Sequence, residues 1–301
     1  MPITREQWDV VESATYKFWD NQAKKRVDFN GLLYNVQSST KSQENHLGIG
    51  SVAQMSPWTG SVSYQEFKKG FSKGFRHAKY SSGIQFEEEL FRFEEYNEMK
   101  KRTRELNVSV YKTLQAHGVS TFNNAFDAAF AGPDLVALCS ASHPYSPSDA
   151  TIDPLNTNTF ALDLTIPNLT TMFDAMSNFR DDKGDQLFGT PNILLTGIGY
   201  RAEAQKICGP RAGDREPFTA DNDANLYKDG LTHIFHPMIQ GKKWFLIDKD
   251  LMDNSLFWYN ARIPTIETEV DFDTEMQKYK TIGMWSYGFT NWTWIVGSNY
   301  A

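Results

Sequence analysis

The chain has 301 residues, enough to bury a core without disulfide staples and long enough for two average domains or one large one. Apolar residues make up 40% and charged residues 22%, which excludes a disordered chain. Thirty Lys and Arg against 37 Asp and Glu leave a formal net charge of −7, which argues against bulk nucleic-acid binding, since that needs a basic face. Aromatic residues reach 14%, more than one core of this size needs, and large aromatics are enriched where proteins meet. Cys139 and Cys208 cannot build a disulfide framework and suit a reducing compartment. The first residues lack the apolar core of a signal peptide, and no apolar run approaches the ~20 residues that span a bilayer. The expectation is a protein made and used in a cytoplasm, away from membranes.

Residues 5–25 carry Trp8, Val11, Thr15, Phe18 and Trp19 as a broken helical stripe, and the polar stretch 37–45 reads as an extended arm or linker. Residues 46–83 are rich in Gly, with Val62, Tyr64 and Phe67 in one β-type run and Phe71, Phe75 and Tyr80 in the next. Lys68, Lys69, Lys73, Arg76 and Lys79 make this stretch basic. The pattern predicts a long β-hairpin too thin to own a core, so its aromatics must rest on something else.

From residue 86 the sequence becomes charged and periodic, with Leu90, Phe93, Tyr96, Leu106, Val110 and Leu114 on one helical face. Glu87, Glu88 and Glu89 precede Lys100, Lys101, Arg102 and Arg104 in partial accord with the helix dipole, and Gly118 is the predicted stop. A helix of about 30 residues is a strut ~45 Å long.

Residues 119–160 are rich in turns around a predicted short strand at Leu135, Val136, Ala137 and Leu138. A helix follows over 167–179, a strand over 192–195, a second helix over 200–207 and a polar surface loop over 209–230. Strands are expected at 232–238 and 244–247, then two long ones over 257–270 and 281–296. The ensemble is α+β without regular βαβ alternation.

Each chemical motif has a simpler structural reading. Gly197-Ile198-Gly199-Tyr200-Arg201-Ala202 fits a dinucleotide-binding turn, yet it stands mid-chain and lacks an acid at a second strand end. His233 and His236, three apart on a strand, point to opposite faces and cannot share a metal. Asp221, Asp223 and Asn225 open like a calcium loop that Leu226 and Thr232 then break. His143 has Cys139, Ser140 and Ser142 nearby but no recognisable orienting partner. No catalytic residue, cofactor site or metal site is therefore expected.

The order of a polar arm, a basic aromatic hairpin, a strut helix, a mixed region and long closing strands resembles the major capsid protein of tailed bacteriophages, the Hong Kong ninety-seven type fold. Within that fold the chain looks most like the major head subunits of Mu-like phages. The segment from Ser63-Tyr64-Gln65-Glu66-Phe67 to Tyr80-Ser81-Ser82-Gly83-Ile84-Gln85 is similar to the family's extended loop entering its spine helix. Phe122-Asn123-Asn124-Ala125-Phe126, Leu138-Cys139-Ser140-Ala141-Ser142-His143-Pro144, Gly189-Thr190-Pro191-Asn192-Ile193-Leu194-Leu195 and Trp244-Phe245-Leu246-Ile247-Asp248 follow in the family's order.

The resemblance implies an N-terminal arm over 1–45, an extended loop over 46–85 and a spine helix with the start of a peripheral domain over 86–130. It further implies a mostly axial domain over 131–255, with strands returning through the peripheral to the axial domain over 256–301. It implies a non-enzymatic shell protein that forms pentamers and hexamers of an icosahedral head around double-stranded DNA, in the bacterial cytoplasm and then the virion. Portal, scaffolding and possible cement proteins are the implied partners, with either scaffolding supplied by a separate protein or this chain being a mature-length form. Subunit contacts are expected from Trp8, Phe18, Trp19, Trp58, Tyr64, Phe67, Phe71, Phe75 and Arg76. The alternatives are a nanocompartment shell of the same fold and, in another class, a nucleotide-dependent oxidoreductase using the Gly197–Gly199 turn.

Overall fold

The computed structural model describes residues 16–19, 21, 28–58, 60–62, 64–87, 96–209, 227, 230–271 and 276–300. In chain order, helix α1 (Phe29–Leu33) leads to strands β1 (Asn35–Ser38), β2 (Gln43–Ile49), β3 (Lys69–Arg76) and β4 (Ala78–Phe86), and then to the long helix α2 (Tyr96–Asn123). Short strands β5 (Pro144–Ser146), β6 (Asp149–Ile152) and β7 (Thr159–Phe160) precede α3 (Ile166–Ser177), β8 (Ile193–Thr196) and α4 (Arg201–Cys208). The chain closes through β9 (Thr232–Phe235), β10 (Lys242–Ile247), α5 (Lys249–Asp253), β11 (Leu256–Val270), β12 (Gln277–Phe289) and β13 (Ile295–Tyr300).

Two sheets organise these elements. The long one has the order β1-β11-β12-β4, with β1 parallel to β11 and the other pairs antiparallel. At ~3.3 Å per residue, the 15 residues of β11 reach about 50 Å. The register of β11 on β12 slips on either side of Arg262, beside Pro264, because proline lacks the N–H a regular ladder needs. The compact sheet has the order β7-β13-β10-β8-β9. Its inner strands are buried on both faces, which explains the unbroken apolar runs Ile193-Leu194-Leu195 and Trp244-Phe245-Leu246-Ile247. Helix α3 adds Leu169, Met172 and Met176 to this core, and α4 adds Ala204 and Ile207.

Helix α2 runs 28 residues, about 42 Å at 1.5 Å each, and buries Met99, Thr103 and Leu106 near one end and Val119 and Phe122 near the other. The predicted strut is therefore present, with its limits moved. Residue 86 belongs to β4, where Phe86 pairs with Gln277, and the helix continues through Gly118 to Asn123. Gly118 is not a stop. A Cβ there would lie 1.8 Å from Asn30 Oδ1, so glycine lets α1 approach the helix, where Asn30 Nδ2 donates to Leu114 O at 3.2 Å. Tyr34 Oη fixes the same junction by donating to Gly118 O at 2.7 Å.

Other local expectations also change. The polar stretch 37–45 is not a loose arm, because it completes β1 and begins β2, held by strand partners far along the chain. Leu135 to Leu138 form no strand: Leu135 has a φ of +64° inside a turn closed by Gly132 N donating to Val136 O at 2.7 Å. The strand expected over 281–296 is two, split between β12 and β13. The predicted helices over 167–179 and 200–207 are present as α3 and α4. Most of the helix over 5–25 lies outside the described residues, as does most of the loop over 209–230; Tyr16 to Trp19 are helical.

Candidate assembly surface

A hairpin is present, but on other strands than predicted: β2 and β3 pair antiparallel as a separate two-stranded sheet, whereas Val62, Tyr64 and Phe67 lie outside any strand and Tyr80 belongs to β4 of the long sheet. Along the chain it is linked to the long sheet through residues 39–42 and His77. There His77 Nδ1 meets Ser286 Oγ at 2.9 Å, and Nε2 meets Ser39 Oγ at 3.1 Å. Ser39 Oγ in turn donates to Glu44 Oε1 at 2.7 Å, and this bond, with one from Lys41, holds the Glu44 carboxyl below its usual range. Just beyond the pivot, Phe75 is buried among Phe257 and Tyr259. His46 stacks on Phe257 with ring centres 4.5 Å apart, and its Nε2 lies 2.5 Å from Tyr259 Oη. Burial pulls the His46 imidazole below its usual range and pushes the Tyr259 phenol up to about 12, so both stay uncharged in this contact.

Beyond β2 and β3 the described tip residues form no strand, and Gln65 Oε1 accepts from Ala53 N at 2.9 Å across it. Large apolar side chains are exposed along this stretch. Met55 is 99% exposed, Tyr64 91% and Trp58 72%, and Val52, Val62 and Phe67 are exposed as well. A cluster of exposed large apolar side chains of this kind is characteristic of an interaction site.

The sequence-predicted contact residues divide. Trp58, Tyr64 and Phe67 are exposed on the tip, and Arg76 is exposed near the pivot. Phe71 is half-buried beside the body of the molecule, and Phe18 is half-buried too. Phe75 and Trp19 are buried within their own chain, Trp19 against Phe86, Leu106 and Tyr279. Trp8 lies outside the described residues. Much of the aromatic surplus is spent internally: Trp244, Trp258, Trp285, Trp292 and Trp294 are all core residues. Sequence reading missed Asp182 and Asp185, whose partners on the tip stand 131 residues away.

The motifs with chemical promise have structural occupations. Gly197 and Gly199 do lie between a strand and a helix, and β8 and β9 are parallel across α4. The inner side of the turn is filled, however: a Cβ on Gly197 would lie 2.6 Å from Ile239 O, and one on Gly199 3.4 Å from Gly241 O. The glycines admit a neighbouring backbone where a pyrophosphate would sit. His233 Nε2 bonds Thr196 Oγ1 at 2.8 Å, and His236 Nε2 bonds Gln115 Oε1 at 3.0 Å; His236 lies just past the end of β9, so the two do not share one strand as expected.

His143 does have an orienting partner, hidden from sequence reading. Its ring stacks 4.2 Å from Trp292, and Nδ1 lies 2.7 Å from Asp134 Oδ2. Asn158 uses Nδ2 on the carbonyls of Leu138 and Ile295 and accepts Ser140 N at Oδ1, the atom that faces His143 Nε2 at 3.1 Å. With its ring wholly buried, His143 joins three loops instead of attacking a substrate. Among the described residues no three His, Cys, Asp or Glu side chains group closely enough to hold a metal, and no described helix is long and apolar enough to cross a membrane. The calcium-like segment at 221–225 lies outside the described residues.

Solved structures with this architecture are capsid and particle subunits. The chain is similar to a subunit of the procapsid of bacteriophage JBD30 (TM-score 0.50, 12% identity, covering 99% of this chain and 77% of that one). It is also similar to a chain of Microbacterium phage Oxtober96 (0.52, 11% identity, 92% of each chain). A third match is a virus-like particle from Pyrococcus furiosus (0.53, 10% identity, 95% and 98%). The fold class expected from the sequence, the α+β phage major-capsid fold, is the one present. No curated protein matches in sequence. The family model for phage capsid proteins matches residues 70–297, and the chain belongs to that family. It is a structural capsid protein, a component of the virion shell.

Proposed function

We propose that this chain is the major head subunit of a tailed phage and assembles with copies of itself, as pentamers and hexamers, into an icosahedral head around double-stranded DNA. The observation that carries this reading is the hairpin: a thin element whose apolar tip faces solvent in the single chain and needs a neighbouring copy to cover it. Burying one large apolar side chain is worth ~1.5–3 kcal/mol, so a few tip residues per subunit, repeated around a shell, supply ample association energy. Of the contact candidates, Trp58, Tyr64 and Phe67 take this role, with Arg76 at the base of the hairpin. The net charge of −7 suits a container that encloses DNA without gripping it. Kinship with Mu-like phages rests on the segment order described above. Portal, scaffolding and cement proteins would be its partners, and assembly would take place in the host cytoplasm.

Electron microscopy of the purified protein under assembly conditions is the test. Closed shells are expected, and monomers or small oligomers under every condition would refute the reading. The likeness to the Pyrococcus furiosus particle favours one second reading, a nanocompartment shell. Particles purified from their natural source separate the two: nuclease-protected genome-length DNA supports a phage head, and enclosed protein cargo a nanocompartment.

A further inference from the structure

The hairpin is fastened to its own chain by contacts of different chemistry, among them Lys73 Nζ of β3 donating to Ala131 O at 3.3 Å. At the base the fastening is the aromatic contact of His46 and Phe75 with Phe257 and Tyr259. Near the tip it is a pair of carboxylates. The loop between Arg180 and Gln186, which pair as an antiparallel bridge, is shaped by Asp181, whose Oδ1 accepts from Lys183 N and Asp185 N, each at 2.9 Å. Arg180 Nη1 closes it by donating to Gly184 O at 2.9 Å. So shaped, the loop presents Asp182 Oδ1 to Ser51 N at 2.8 Å and both oxygens of Asp185 to Gln54, Oδ2 to the backbone N at 3.3 Å and Oδ1 to Nε2 at 3.1 Å. A cleft of about 480 Å³ lies between the hairpin and the body of the chain.

Two features make this fastening releasable. Hydrogen bonds from backbone N–H groups to carboxylates are charge-assisted, but those of Asp185 are exposed and open to competition from water. The second oxygen of Asp182, Oδ2, is buried with no donor, and an unpaired buried acceptor destabilises the state that buries it. Opening the contact returns that oxygen to water. The pivot for such opening is the chain link through residues 39–42 and His77, which connects β2 and β3 to β1 and β4 of the long sheet.

We propose that Asp182 and Asp185 form a clasp that holds the hairpin against its own subunit before assembly, and that release of the clasp frees the tip for a neighbouring copy. The proposal rests on the shell reading and adds the step that times it. The test uses the full chain. In the Asp182→Ala/Asp185→Ala variant, amide hydrogen exchange at residues 51 and 54 of the unassembled protein should quicken at least tenfold, and the lag before shell formation, followed by light scattering, should shorten. In a Ser51→Cys/Asp182→Cys variant, whose native Cys139 and Cys208 are buried and do not compete, the oxidised chain should stay unassembled until reductant is added. Unchanged exchange in the alanine variant, or an oxidised chain that assembles at the wild-type rate, overturns the clasp. Wild-type protein that forms no shells at all, with exchange quickened in the variant, overturns the shell reading and the timing role while leaving the hydrogen bonds in place.

Discussion

Gly118 illustrates how one residue can invert a general rule. Inside a helix, Gly→Ala ordinarily stabilises by ~1 kcal/mol. Here the added methyl would press on Asn30 Oδ1 and displace the side chain from Leu114 O, so Gly118→Ala should destabilise by about 1–3 kcal/mol in urea unfolding. Adding Asn30→Ala to that variant should recover part of the loss, since it removes the obstructing oxygen; a purely additive double variant would contradict the packing account. Nothing local in the sequence announces this. The motif reads as a helix stop because its partner, Asn30, stands far upstream and the reason for glycine is a contact, not a turn.

At the scale of elements, the hairpin separates folding from association. Trp58→Ala/Tyr64→Ala should leave the unfolding midpoint of the isolated chain within about 0.5 kcal/mol of wild type, because both side chains face solvent. The same variant should form fewer and less stable shells by light scattering; normal assembly would remove the tip from the interface. Elements of regular period were legible in the sequence. Helices α2, α3 and α4 and strands β8, β10 and β11 announce themselves through apolar spacing. Strands β1 and β2 were hidden because their residues are polar and their pairing is distant: Asn35 meets Phe257, and Gln43 meets Arg76. The start of α2 was misplaced because Phe86 satisfies a helical stripe and a strand equally well. The exposed part of the assembly surface was legible from its aromatics, whereas the carboxylates that face it were not, since an Asp-rich turn reads as solvent-exposed loop wherever its partners are unknown.

For the molecule as a whole, burial sets the response to acid. It lowers His46, His117 and His233 below their usual range and His236 to about 4. Between pH ~4 and ~6.5 the unfolded chain therefore binds more protons than the folded one. Stability is complete above pH ~6.5 and falls as pH drops toward 4. Urea midpoints at pH 7 and pH 5 should differ in that direction, and His236→Gln should shrink the difference; a midpoint that rises on acidification would contradict the burial of these rings.

The sheet order carries one more consequence, for the timing of synthesis. Strand β1 finds its partner only in β11, and β13, the last strand in chain order, lies in the interior of the compact sheet between β7 and β10. A ribosome must therefore have made the chain through β11 before the pivot of the hairpin has a seat, and through β13 before the compact core can close. Prematurely terminated products cannot complete either sheet. The topology thus acts as an inspection at the point of manufacture, rejecting defective tiles before a closed surface, where one missing piece would be a hole, begins to form.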